Sequence, residues 1–271
     1  MRLNSQSLLV FVGSMMVTVG ALPLIARNLQ GEKWILQEYE KTVTAADKHV
    51  FKAKLKDVDI GPLLSTEGLH NKGVYSIKGK YKNHEGDSIV LKVLKTVDDE
   101  AYAEVKALKG VDEYVDSGMF EVKGKEEPVI IMLKVPGSVL SDTDEYKKAH
   151  TDEKEKMKEE AIDLMCKEVA RVGKSSGILH NDNRIENIHV TMSGTKVIAA
   201  KLTDWGAYEL YTMDKSASTA EIVSVIAQNH CVLQEALDTC GLCPFVIVGI
   251  VLYHCYCSLP VEVVEKIIYK C

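Results

Sequence analysis

Between residues 50 and 135 the apolar positions mostly fall at every second residue, the spacing that puts one face of a strand on a core. The segments "VFKAKLKDV", "GVYSIKGKYK" and "DSIVLKVLK" predict three successive strands, the last two separated by a turn at "NHEGD". "EYVDSGMFEV" and "EPVIIMLKV" predict two more, split at "KGKEE", and "PGS" at residues 136–138 ends the run. One stretch inside this region changes period. In "TVDDEAYAEVKALKG", Ala101, Val105 and Leu108 share a helical face, Thr96 with Asp99 makes a capping-box start, and Gly110 makes a stop. Upstream, Trp34, Ile35, Tyr39 and Val43 are spaced as in a short helix over residues 32–47.

Beyond residue 141 helical spacing takes over. After a charged stretch, a helix beginning near Asp152, with Glu155 as capping partner, buries Met157, Ala161, Leu164, Met165, Val169 and Val172, and Gly173 and Gly177 end it. "GILHNDNRIENIHV" then sets a polar run between two apolar triplets, and "KVIAAKLTDWG" continues as strand. Two apolar helical stretches follow, 220–237 and 242–259. The second carries no formal charge, but Pro244, His254 and its cysteines suit a buried core helix better than the alternative, a membrane span. The change of period places a boundary at residues 136–141, giving an α+β chain with lobes at 58–138 and 139–271 after an extension at 27–57.

Composition narrows the partners. The chain has 271 residues, 46% apolar and 27% charged, as in an ordinary globular protein, and its net charge of −6 gives no electrostatic reason to expect nucleic acid. Residues 1–26 read as a secretory signal peptide: an arginine, an apolar run from Leu8, then small residues. The uncharged span from Leu8 to Ala26 leaves an uncleaved anchor as the alternative. Six of the seven cysteines, Cys231, Cys240, Cys243, Cys255, Cys257 and Cys271, lie in the last 41 residues. In a secreted or luminal protein such a cluster reads as disulfides, whereas "CGLC" and "CYC" are poorly spaced for zinc.

Five polar positions carry the chemistry. Lys92 points to the same strand face as the core residues Val90 and Leu94, so it needs an anionic partner. Glu104, three residues after Ala101 and four before Leu108, also faces inward and can supply that partner. Asp182 and Asn187 stand five apart in the polar run, and Asp204 precedes Trp205 and Gly206.

This order of residues resembles the protein kinase-like superfamily over roughly Asp59 to Gly206. The resemblance implies a two-lobed fold, with a five-stranded antiparallel N-lobe holding one helix and a shortened, mainly helical C-lobe. It also implies an ATP- and Mg2+-dependent phosphotransferase acting on an unknown protein or small-molecule acceptor. In it, Lys92 paired with Glu104 holds the nucleotide phosphates, and "HNDNRIEN" supplies the catalytic Asp182 and the metal-binding Asn187. Asp204 is the second metal ligand, Arg184 takes the place of a phosphate-contacting lysine, and His180 is structural. Gly68, Gly73 and Leu133 complete the implied nucleotide-binding set. His150 and His189 carry no motif.

The chain also departs from that pattern. Its phosphate-loop region, "STEGLHNKGVY", holds two glycines where the family has three. Asn181 replaces the arginine that would receive an activation-loop phosphate, and only 65 residues follow Gly206. These departures keep open an alternative of another class, a secreted pseudokinase or effector-like binding protein that docks a partner without catalysis.

Overall fold

The computed structural model describes residues 32–227, except 67, 69, 183, 207 and 208. The chain enters on β1 (Ile35–Glu38), then β2 (Ile60–Ser65), β3 (Asn71–Ile77), the two-residue strands β4 (Lys80–Tyr81) and β5 (His84–Glu85), and β6 (Ile89–Leu94). Helix α1 (Asp99–Gly110) and the hairpin of β7 (Tyr114–Val122) and β8 (Lys125–Leu133) follow. Beyond Pro136 come β9 (Ser138–Val139), α2 (Asp144–Lys148), α3 (Thr151–Ser176), β10 (Ile178–His180), β11 (Ile188–Ser193), β12 (Lys196–Leu202) and β13 (Leu210–Met213). Residues 219–227 are helical. The result is a mixed α+β protein built around a five-stranded antiparallel sheet of order β2-β3-β6-β8-β7.

The sheet explains why β6 is buried along its whole length. Ile89, Leu91 and Val93 join Val129 and Ile131 of β8 in one apolar cluster on one face. Leu94 and Ile130 enter the main cluster with Ala103, Ala107 and Leu108 of α1 on the other. Lys92 is paired with Ile130 in the ladder and shares the parity of Leu94, so the period-two rule turns its side chain toward α1. Helix α1 is capped by Asp98, whose carboxylate accepts a 3.0 Å bond from the Ala101 amide, rather than by Thr96. Thr96 instead donates to Asp98 and steadies the cap.

Several expected elements are revised. The alternating stretch 50–58 forms no ladder strand: it meets β7 around Met119, where the Leu55 amide donates to the Met119 carbonyl and the Ala53 carbonyl accepts from the Met119 amide, and at Ser117, whose hydroxyl donates to the Val50 carbonyl. The sheet's edge is β2 instead, whose Pro62 and adjacent exposed Leu63 and Leu64 break the alternation by which strands are recognised. Residues 32–47 are not a helix. Ile35 pairs with Met213 and Glu38 with Tyr211, so a partner strand far along the chain overrides the local spacing. Two short 3-10 turns, Tyr39–Thr42 and Asp47–His49, follow, with Trp34 and Tyr39 buried. Helix α3 starts at Thr151, one residue before Asp152, and it is Glu153 rather than Glu155 that accepts the His150 amide hydrogen bond. It also runs through Gly173, where a Cβ would lie 2.5 Å from the Met213 sulfur, and ends at Gly177 with φ +81°. The glycine at 173 therefore serves close packing, and the glycine at 177 serves termination.

Strands β9 and β13 had no forecast in the spacing. Among the described residues no helix is long and apolar enough to cross a membrane. The leader at 1–26, the clustered cysteines and the helical stretches beyond residue 227 lie outside the described residues, and Cys166 is buried in the core.

Candidate functional site

The site forms where β6, α1 and the loops around β10–β12 meet. Lys92 Nζ lies 2.6 Å from Glu104 Oε1 and 3.4 Å from Asp204 Oδ1. Burial alone would lower the lysine's pKa, but the two carboxylates outweigh it and hold the ammonium above its ordinary range. Asp204 is likewise held below the usual carboxylate range, burial being outweighed by Lys92. Both groups are therefore charged at neutral pH. Asp204 reaches Lys92 from a left-handed backbone with φ +58°, a conformation that Asp tolerates but bulky residues do not. Its carboxylate keeps 46% of its exposure, so the buried lysine opens to solvent at this residue.

The β11–β12 hairpin brings the polar loop to the same place. Ile188 pairs with Leu202, and one step outward the Thr203 amide donates to the Asn187 carbonyl at 2.9 Å, so Asn187 stands one residue from Asp204 across the ladder. The Asn187 carboxamide nitrogen donates to the Asp182 carbonyl at 3.1 Å and closes the loop. Arg184 Nε and Nη2 donate to the two oxygens of Asp182 at 2.7 and 2.9 Å. That bidentate pair raises the guanidinium's pKa still further.

His180 is the pivot under this loop. Its Nε2 is 3.0 Å from the Thr203 carbonyl and 3.1 Å from the Asp204 carbonyl, and because both are acceptors the nitrogen carries the hydrogen. Burial pushes the imidazole's pKa down, so the ring is neutral. Trp205 packs against it edge-on, 5.0 Å between centroids and 85° between planes, and donates its indole N–H to Glu113 at 2.8 Å. Burial pushes the Glu113 carboxyl up, and the indole bond opposes it.

The remaining candidates sit as follows. Gly73 pairs with Val93, and Val74 with Lys92, so the start of β3 lies beside the lysine's strand. Gly68 has φ +115°, and a Cβ there would be 2.2 Å from the Asn71 carboxamide, a buried side chain that fills the space over this glycine. Leu133 ends β8 opposite Ile89, and its amide donates to the Glu113 carbonyl at 2.8 Å. His189 is half-buried, with Nδ1 3.3 Å from the Val135 carbonyl. Asn181 is tied by its own amide and its carboxamide to Glu209. Sequence reasoning passed over Glu113 and Glu209, because neither belongs to a motif and each has its partner far away in the chain, Trp205 for Glu113 and Asn181 for Glu209.

As a donor set, the ionised Asp204 carboxylate and the Asn187 carboxamide oxygen are hard ligands of the kind magnesium takes, and the Asn187 nitrogen is already used within the loop. Groups of three or more His, Cys, Asp or Glu able to hold a metal are absent among the described residues. No protein-family model matches the chain, and comparison with curated proteins finds no significant match.

Proposed function

We propose that this chain is a compact, divergent protein kinase-like phosphotransferase, two-lobed, acting in the secretory pathway or outside the cell with ATP and magnesium. The observation that carries the reading is Lys92, which touches Glu104 of α1 and Asp204 beyond β12 at once, beside the loop of Asp182 and Asn187. A buried ammonium pinned by a carboxylate at its back and open toward a second, solvent-reaching carboxylate is suited to anionic phosphate.

On this reading Lys92, oriented by Glu104, donates to the nucleotide phosphates. Asn187 and Asp204 hold magnesium, which when bound offsets phosphate charge. Asp182 orients the acceptor hydroxyl and takes its proton at a carboxylate oxygen. For that, Arg184 must let go of at least one oxygen, and once released it can face the transferring phosphoryl group.

A second reading is favoured by two specific observations. Both oxygens of Asp182 are engaged by Arg184, and the approach at Gly68 is filled by Asn71. A partner-docking protein that retains the site's architecture without turnover accounts for both. ATP with magnesium at millimolar concentration separates the readings. The phosphotransferase reading expects a saturable rise in thermal midpoint that Asp204→Asn abolishes while the variant stays folded. No rise in the parent protein favours the docking reading.

A further inference from the structure

We infer that Glu113 is a positioning residue, a latch that fixes the Trp205 indole and thereby holds Asp204 against Lys92. Glu113 is itself held firmly. It follows α1 in a left-handed turn at Asp112, φ +60°, where the Glu113 amide donates to the Leu108 carbonyl at 2.9 Å and the Asp112 amide to Lys109 at 3.4 Å. The Glu113 carbonyl in turn accepts from Leu133 at the end of β8. Its backbone therefore moves with α1, the helix that carries Glu104, and with the strand that neighbours Lys92.

From this fixed base the carboxylate accepts the Trp205 N–H at 2.8 Å. The indole is buried and also wedged against His180, whose Nε2 holds the carbonyls of Thr203 and Asp204. The peptide around Asp204 is thus pinned on both sides while its φ stays at +58°, a backbone that needs its neighbours to keep it there. The charged groups around Glu113 are Lys201 of β12 and Glu168 and Arg171 of α3; Lys201 and Arg171 both bind Glu168, which leaves the indole as the hydrogen-bond partner of the Glu113 side chain.

The inference deepens the proposed function, on which its consequence for nucleotide affinity rests, but its test does not need a nucleotide. Glu113 bonds Trp205 and not Asp204, so a merely structural glutamate would contribute to stability independently of Asp204. Thermal midpoints are measured for Glu113→Ala, Asp204→Asn and the double variant. The latch expects the double shift to differ from the sum of the singles by about 2 °C or more. Trp205→Phe, which keeps a ring and removes only the donor among the indole's polar groups, should couple to Asp204→Asn in the same sense. Glu113→Gln, which keeps an acceptor, should behave as the parent. Additive shifts, or equal coupling in the Gln and Ala variants, overturn the latch. If the parent binds ATP with magnesium, affinity should fall on the order of 3–30-fold in Glu113→Ala and Trp205→Phe but not in Glu113→Gln. A parent that binds no nucleotide while the coupling persists removes the proposed function and leaves the latch standing.

Discussion

Lys92 and Glu104 meet 2.6 Å apart from two different elements, with side chains 7% and 5% exposed, whereas Asp182 and Arg184 meet across two residues of one loop, 23% and 52% exposed. The first pair has lost its water, so neither partner can leave without stranding a charge in the core. The second remains at the solvent boundary, where an ion pair contributes little and exchanges readily. One side of the site is therefore a fixed frame and the other a releasable arm. That division suits a centre that must bind an anion in one place and free a carboxylate in another.

The contrast breaks first at the buried pair. Glu104→Ala should destabilise the protein by about 3–5 kcal/mol, read from chemical denaturation, because it leaves the Lys92 ammonium with only the more distant Asp204. A loss below about 1 kcal/mol would place the Lys92 pair in the same class as the loop pair.

The frame's neutral histidine gives the next test. The His180 pKa is lowered by folding, so the unfolded chain takes up its proton first as pH falls. Its contribution is complete above about pH 6.5, the value for an unfolded histidine, and is lost as pH falls through the lower folded pKa. The unfolding midpoint of the parent should therefore decline on acidification from pH 7.5 to 5.5, and His180→Gln should decline less. The slope that remains is expected from His189, whose pKa burial also lowers. Equal slopes in parent and variant would mean that His180 is not held neutral.

Smaller effects sharpen the comparison. Asp98→Ala removes the cap of the helix that carries Glu104 and should cost about 1 kcal/mol. If ATP binding responds far more than stability does, α1 is positioning Glu104 as well as packing. Arg184→Ala, on the releasable side, should change stability by no more than about 1 kcal/mol, less still in molar salt, since exposed pairs are screened. A large, salt-insensitive loss would show the loop pair to be part of the frame.

How much of this was legible depended on distance along the chain. The inward parity of Lys92 followed from Val90 and Leu94 beside it, and that of Glu104 from Ala101 and Leu108, so their meeting across 12 residues could be read from two local periods. Strands β7 and β8 announced themselves by alternation around Lys123-Gly124, both with positive φ. The strand β2 did not, because an edge strand with Pro62 and two exposed leucines needs only one partner and no buried face. Residues 32–47 misled because spacing that suits a helix was captured by β13, some 175 residues later.

The sequence by itself determined which residues turn inward and the order of the polar ones, since side-chain direction repeats with a period fixed by local backbone geometry. Only the tertiary structure decided the partners: Trp205 on Glu113, the Asp204 carboxylate on Lys92, and β1 on β13. Those contacts join segments separated by many residues, and their geometry comes from packed elements rather than from any local pattern. The left-handed turn at Asp204 shows the same division, because aspartate permits that backbone but the bonds from His180 and the pull of Lys92 hold it there.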